Sequence, residues 1–340
     1  MVKRIGFLTH GDTQRGMGHI YRTLILAEAF RSAVPDARIS FHCRAGCEGA
    51  RVLVGSALGT LIPFDGDLPP PGETWDLLIV DQMSQEPAKM AVLRPQCRHM
   101  VILDDVGPGR LAADLAINGL YPPRVPRPPE SRVQDLVGFE YVCMRDGFAS
   151  AARDSRPDIG SVLLAQGATD TYGLLPTLVT ILDPLLPPSA RLNVLAPAFR
   201  PNSDLDAVIG ALQRPAGLLR EIPDMAAFMS ALDLAVVGAG IMACELATVG
   251  VPMVLVTGEP HEVETATALE QLGCALSAGL FDEASPERIA GHVRQLVRDP
   301  DLRRLLSGRG RSVFDGKARG RIVNAILHLM AWPPYVPSCE

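Results

Sequence analysis

The sequence predicts an α/β protein built as two doubly wound parallel domains facing across a cleft. Three observations carry this reading. Short apolar runs alternate with helical segments along both halves of the 340 residues. The alternation breaks once, in the polar stretch 144–160, and then restarts. Finally, 232–256 (LDLAVVGAGIMACELATVGVPMVLV) reads as strand, glycine turn, helix, glycine-proline stop and strand, a complete βαβ unit. The expected boundaries are an N-terminal domain over 1–150, a second over 151–320, a closing helix over 321–332 and an irregular tail over 333–340.

An apolar content of 47% is enough to fill two cores, and 21% charged residues is ordinary for a soluble protein. A net charge of −6 and 5% aromatic residues leave no electrostatic or stacking case for nucleic acid. Met1-Val2-Lys3-Arg4 leads straight into a strand with no signal-peptide pattern, and no apolar run reaches the ~18 residues of a membrane span. A cytoplasmic location is expected. The seven cysteines read as free thiols. Cys43 and Cys47 are the only close pair, with no partners at metal-binding spacing, so no metal and no cofactor are expected.

In the first half, 5–9 is a strand and 10–19 a polar, glycine-rich loop. An amphipathic helix follows over 20–33, with Leu24, Ile25, Ala27, Ala29 and Phe30 on apolar positions. Strands over 38–43 and 58–63 flank a short helix, and 65–73 is a proline- and glycine-rich loop. Trp75–Asp81 (WDLLIVD) is a buried strand that ends in Asp81, at the carboxyl edge where open α/β sheets bind ligands. A helix over 87–94, a strand over 100–104, a last short strand over 115–118 and a proline-rich loop over 121–130 complete this half. Asp104 reads as a turn cap, while Asp81 and Asp105 read as ligands for substrate hydroxyls or as further caps.

The second half begins with a strand over 161–165 and a polar loop over 166–172 (QGATDTY) that carries Gly167 and Asp170. Then come a helix over 174–186, strands over 191–196 and 218–221, and a helix over 224–232 capped by Asp224. After the βαβ unit, 257–264 (TGEPHEVE) is a polar loop at a strand's carboxyl end and exposes His261. Helices are expected over 265–272, 286–298, 301–307 and 322–332.

Two places carry chemistry. The turn Gly238-Ala239-Gly240 opens the helix at Ile241, which would present free backbone N–H groups and the positive end of a helix dipole to a phosphate or diphosphate. One turn on, Glu245 is a lone acid in an apolar helix, placed to reach a sugar hydroxyl or to lie on a solvated face. In the first half, Gly16-Met17-Gly18-His19 sets His19 at a helix start, where the dipole favours the neutral imidazole a general base needs. A capping or core histidine is the alternative.

Gly16-Met17-Gly18-His19-Ile20-Tyr21-Arg22, followed by Leu24-Ile25-Leu26-Ala27, resembles the G-x-GH-x-x-R-x-x-x-LA signature of the pseudaminic-acid pathway UDP-sugar hydrolases and their spore-coat polysaccharide relatives. The resemblance runs on through Trp75–Asp81, Ile102-Leu103-Asp104-Asp105, 138–145 (GFEYVCMR), 166–170 and 234–256. The wider group is the GT-B superfamily, which includes the lipid-II-forming N-acetylglucosaminyltransferase. Its H-Q-x-x-N-A motif is similar to His261-Glu262-Val263-Glu264-Thr265-Ala266. The resemblance implies a UDP-linked sugar in the cleft, with His19 activating the nucleophile and Gly16, Gly18, Arg22, Asp81, Asp105 and Asp170 on the substrate side. It implies nucleotide contacts from Gly167, Gly238, Gly240, Ile241, Met242, Glu245 and His261.

The chain departs from the family at several of these places. The family's Gly-Gly-Ser turn is Gly240-Ile241-Met242 here, Gly-Gly-Ser-Asp has become Gln166-Gly167-Ala168-Thr169-Asp170, and Glu262 replaces a neutral glutamine. Three functions fit: a UDP-sugar hydrolase, a glycosyltransferase using the same cleft, and a binding protein without turnover. The polar loop 10–19 favours water over an apolar acceptor, so hydrolysis is the leading expectation.

Overall fold

The computed structural model describes residues 2–12, 16–69, 72–197 and 203–335. Parts of three expected loops or tails (13–15, 70–71 and 336–340) therefore lie outside the described residues. The chain forms two compact units, one of residues 1–145 with 317–340 and one of residues 146–316.

The first unit contains β1 (Arg4–Thr9), α1 (Gly18–Ala33), β2 (Arg38–Arg44), α2 (Glu48–Gly55), β3 (Thr60–Phe64), β4 (Trp75–Asp81), α3 (Pro87–Leu93), β5 (Cys97–Leu103), β6 (Leu115–Asn118) and β7 (Gln134–Val137). Its strands lie in the order β3-β2-β1-β4-β5-β6-β7, and every neighbouring pair is parallel. The central strands β1 and β4 are continuous apolar runs because helices cover both faces of a parallel sheet. Strand order reverses between β1 and β4, so the loops that leave these two strands flank the crevice of the sheet.

The second unit contains β8 (Ser161–Ala165), α4 (Leu175–Leu182), β9 (Arg191–Leu195), α5 (Ser203–Gly210), β10 (Ala216–Leu219), α6 (Met225–Ser230), β11 (Leu234–Val237), α7 (Ile241–Val249), β12 (Met253–Thr257), α8 (Glu262–Gln271), β13 (Leu276–Leu280), α9 (Ser285–Arg298) and α10 (Pro300–Val313). Its parallel sheet runs β10-β9-β8-β11-β12-β13, with the reversal between β8 and β11. Val162, Leu164, Val236, Val254 and Val256 from the sheet meet Leu178, Leu182, Ile289 and Val293 from α4 and α9 in one buried cluster. Helix α7 ends at Gly250 with φ of 90°; a side chain there would meet Ser307 Oγ at 2.8 Å and the Arg153 carbonyl at 2.9 Å. Only glycine fits both the left-handed conformation and the space.

The last helix, α11 (Ala318–Leu329), returns to the first unit, where Arg321 donates to the Glu140 carbonyl at 3.2 Å and Arg319 pairs with Glu28 at 3.4 Å. The stretch expected as a polar linker is largely tied to the second unit. Asp233 accepts the amides of Gly160 and Ser161 at 2.9 and 3.0 Å and pairs with Arg153 and Arg156, while the Arg153 amide bonds the Val249 carbonyl at 3.0 Å. Two of its arginines thus pair with a buried aspartate, and its Asp154 pairs with Arg311 of α10 at 2.7 Å.

Three elements are additions to the sequence reading. β7 is a half-exposed edge strand without a run of apolar residues, α5 is short and acidic, and β13 contains Gly279 with φ of 74°. β7 and α5 lack the periodicity that marks a strand or helix from sequence, and the alternation of Leu276, Ala278 and Leu280 in β13 is short and interrupted by glycine. Among the described residues, no helix is long and apolar enough to cross a membrane.

Candidate active site

Both sheets place their polar groups at the strand-order reversal. In the first unit, β4 delivers Asp81 as its last residue and the loop after β1 delivers His19 in the first turn of α1. His19 Nδ1 lies 2.7 Å from Asp81 Oδ1. A carboxylate only accepts, so a bond to Asp81 requires the proton on Nδ1, and the neutral ring then carries its lone pair on Nε2; Arg22 Nη2 stands 3.1 Å from the same Nδ1. The His19 side chain keeps 11% of its surface exposed, whereas Asp81 is fully buried. The ring of His10 packs edge-on against that of His19, with centroids 4.8 Å apart.

One turn along α1, Arg22 is buried and locks the pair from behind. Its Nε donates to Asp81 Oδ2 at 2.8 Å, and its two terminal nitrogens bond Asp81 Oδ1 and Asp104 Oδ2. Asp104, at φ of 47°, also accepts the amides of Gly119 and Leu120 at 2.7 and 3.3 Å. Burial by itself would raise the carboxyl pKa of Asp81, but the guanidinium and His19 outweigh it and hold Asp81 at about 2. Asp81 therefore contributes stability that is fully present above its ordinary pKa near 3.8 and is lost as pH falls through about 2. Wild type should unfold in acid over that window, and Asp81→Asn should flatten the slope of unfolding free energy against pH there.

Several residues expected on the substrate side turn out to be engaged within the protein. Asp81 and Arg22 orient His19 and are buried behind it. Asp105, expected toward the substrate, accepts the amides of Gln85 and Gly107 through Oδ1 at 3.1 and 2.8 Å, while Asp104, expected as a turn cap, accepts backbone amides through Oδ1 and also meets Arg22 through Oδ2. Asp170 accepts the amides of Leu174 and Leu175 at 2.8 and 3.3 Å and caps α4. Gly16 takes φ of 78° in a bridge to Asp12, and Gly18 starts α1, so both serve the turn that presents His19. The pairing of Asp104 with Arg22 depends on a backbone turn that no sequence pattern marks.

In the second unit, Gly238 and Gly240 separate β11 from α7, and no side chain caps the helix. The amides of Ile241 and Met242 stand at its positive end, and both side chains are half-buried. Glu245, one turn further, is 7% exposed and faces the protein rather than a solvated surface. Gly167, at φ of 68°, belongs to the loop after β8 on the other side of the reversal. His261 Nδ1 lies 3.9 Å from Glu259 Oε2 on the loop after β12. Such a set suits an anion held by backbone amides with a carboxylate nearby for a hydroxyl-bearing group. Among the described residues, no cluster of three or more His, Cys, Asp or Glu side chains is arranged to hold a metal ion.

Two α/β units with these strand orders make the GT-B fold, and comparison with solved structures agrees. MurG of Acinetobacter baumannii superposes with a TM-score of 0.67 at 16% identity, covering 96% of this chain and 99% of that one. CalG4, the calicheamicin glycosyltransferase, gives 0.64 at 15% identity, covering 97% and 99%. In sequence, the chain is 24% identical over 338 residues to the spore coat polysaccharide biosynthesis protein SpsG of Bacillus subtilis strain 168, spanning 95% of this chain and 97% of SpsG. No protein-family model matches the chain.

Proposed function

We propose that this chain is a nucleotide-sugar enzyme of surface-polysaccharide synthesis that transfers a sugar from a nucleoside diphosphate, UDP first among the candidates, to an acceptor hydroxyl. The observation that carries this reading is His19, whose Nδ1 lies 2.7 Å from buried Asp81, an arrangement that in the neutral Nδ1–H ring makes Nε2 the proton acceptor. Nε2 takes the acceptor proton as the oxygen attacks the anomeric carbon, and the bond from that carbon to the β-phosphate oxygen breaks. The leaving diphosphate gathers negative charge, which the uncapped start of α7 at Gly240, Ile241 and Met242 stabilises. Glu245 accepts hydrogen bonds from the ribose hydroxyls, and Gly238, Gly167 and His261 complete the nucleotide side. The full-length similarity to SpsG and the fold shared with CalG4 support transfer within polysaccharide synthesis.

Hydrolysis is the second reading, with water in place of the acceptor, and it is favoured by the polar sequence HGDTQRGMGH of the loop that ends at His19. Release of UDP from a UDP-sugar without any acceptor would select it.

Nucleotide binding is tested first by thermal unfolding with UDP, CDP, GDP and dTDP. At a hundred times its dissociation constant one of them should add ~2.7 kcal/mol, raising Tm by roughly 4 °C if the whole chain unfolds together and by more if the second unit unfolds alone. Glu245→Ala should abolish that rise. If none of the four raises Tm, the nucleotide-sugar reading is wrong.

A further inference from the structure

Glu262 is the first residue of α8, and its carboxylate lies over the glycine turn that opens α7. A methyl group on Gly238 would stand 3.5 Å from Glu262 Oε1 and 3.6 Å from Oε2, and one on Gly240 would stand 3.9 Å from Oε1. The amides of Glu259, Gly258 and Ala239 favour its charged form. The protein thus seats an anion of its own where the preceding reading puts the phosphates.

The surroundings decide how that anion behaves. The first turn of α7 (Ile241, Met242, Ala243) brings no charged side chain. The loop after β8 brings neutral Gln166, whose Oε1 lies 3.6 Å from the same methyl position on Gly238 and whose Nε2 is buried without a hydrogen-bond partner. The loop after β12 brings Glu259 together with His261, and on its own helix Glu264 points to solvent. Burial first, and then the negative charge of Glu259, push the Glu262 carboxyl up to about 7.

We infer that Glu262 couples nucleoside-diphosphate binding to proton uptake: the protonated carboxyl accepts the ligand as a neighbour, and the carboxylate repels it. The inference rests on the diphosphate site proposed above. A protonated Glu262 offers an O–H donor to a phosphate oxygen, whereas the carboxylate sets like charges side by side at the helix start. In this scheme the proton comes from solvent, no covalent bond forms, and release of the ligand returns the proton.

Calorimetric titration of the full chain with UDP from pH 6 to 8.5 tests it, using buffers of different ionisation enthalpy. Wild type should bind about tenfold more weakly for each pH unit above 7 and take up about one proton at pH 8. Glu262→Gln, which keeps the size and a donor, should bind with a flat profile and no uptake. The terminal phosphate of UDP itself titrates near pH 6, so the wild-type-minus-variant difference is the readout. Glu259→Gln removes the neighbouring charge, lets Glu262 ionise at lower pH, and should move the onset of weakening down. Equal pH profiles for wild type and Glu262→Gln, with binding intact, overturn the role of Glu262 alone. No binding of any nucleoside diphosphate by either protein, even at pH 6, overturns the diphosphate site and this inference with it.

Discussion

His19→Gln is expected to lower turnover of the sugar nucleotide by about 10²–10⁴-fold, the usual contribution of a positioned general base. Glutamine keeps a polar group of similar reach but has no basic nitrogen, so the acceptor proton has nowhere to go. The rise in Tm on adding UDP should survive, because the nucleotide contacts proposed above fall to Gly240, Ile241, Met242 and Glu245, which belong to the other unit. Asp81→Asn separates geometry from charge: the amide still meets Nδ1, but the imidazolium formed in the reaction loses its counter-charge. Its loss of rate should approach that of His19→Gln. Full activity in His19→Gln would remove the general base from the mechanism, and loss of both turnover and the UDP effect would make His19 a structural residue.

Arg22→Met should be the most destabilising of these substitutions, by about 3–5 kcal/mol, because it strands Asp81 and Asp104 as buried carboxylates. Methionine fills most of the volume, so the effect reports charge rather than a cavity. With the guanidinium gone, burial becomes the dominant influence on Asp81 and raises its carboxyl pKa above the ordinary range. The sign of the pH dependence then reverses. The variant pays least in acid, where both carboxyls are protonated, and most near neutrality, where wild type is unharmed. Urea unfolding at pH 5 and pH 7.5 measures this directly, and adding Asp81→Asn and Asp104→Asn to Arg22→Met should restore much of the loss. Unchanged stability at pH 7.5 would mean that the three charges are not coupled as the geometry indicates.

The experiments differ in the link they interrogate. Arg22→Met reads the packing of a buried charge cluster, His19→Gln reads the chemistry that cluster supports, and the pH profile of Glu262→Gln reads binding on the second unit. A protein that folds normally, binds a nucleotide and yet turns nothing over would show all but the second of these effects.

The amino-acid sequence by itself determined the alternation of strands and helices, the buried run Trp75–Asp81 and the glycine turn before Ile241, because each depends on neighbours within a few residues. It also placed His19 at a helix start and Asp81 at a strand's end. Tertiary structure alone decided which charges meet. Asp104 rather than Asp105 reaches Arg22 because the chain turns through φ of 47° there, and the two are 82 positions apart in sequence. Glu245 is buried and Glu262 lies over Gly238 because parallel strands bring the starts of α7 and α8 together at one sheet edge. The last helix joins the first unit through ion pairs such as Arg319 with Glu28, although the whole of the second unit's sequence lies between. Local propensity acts over a turn of chain; burying a charge depends on what the whole fold sets beside it.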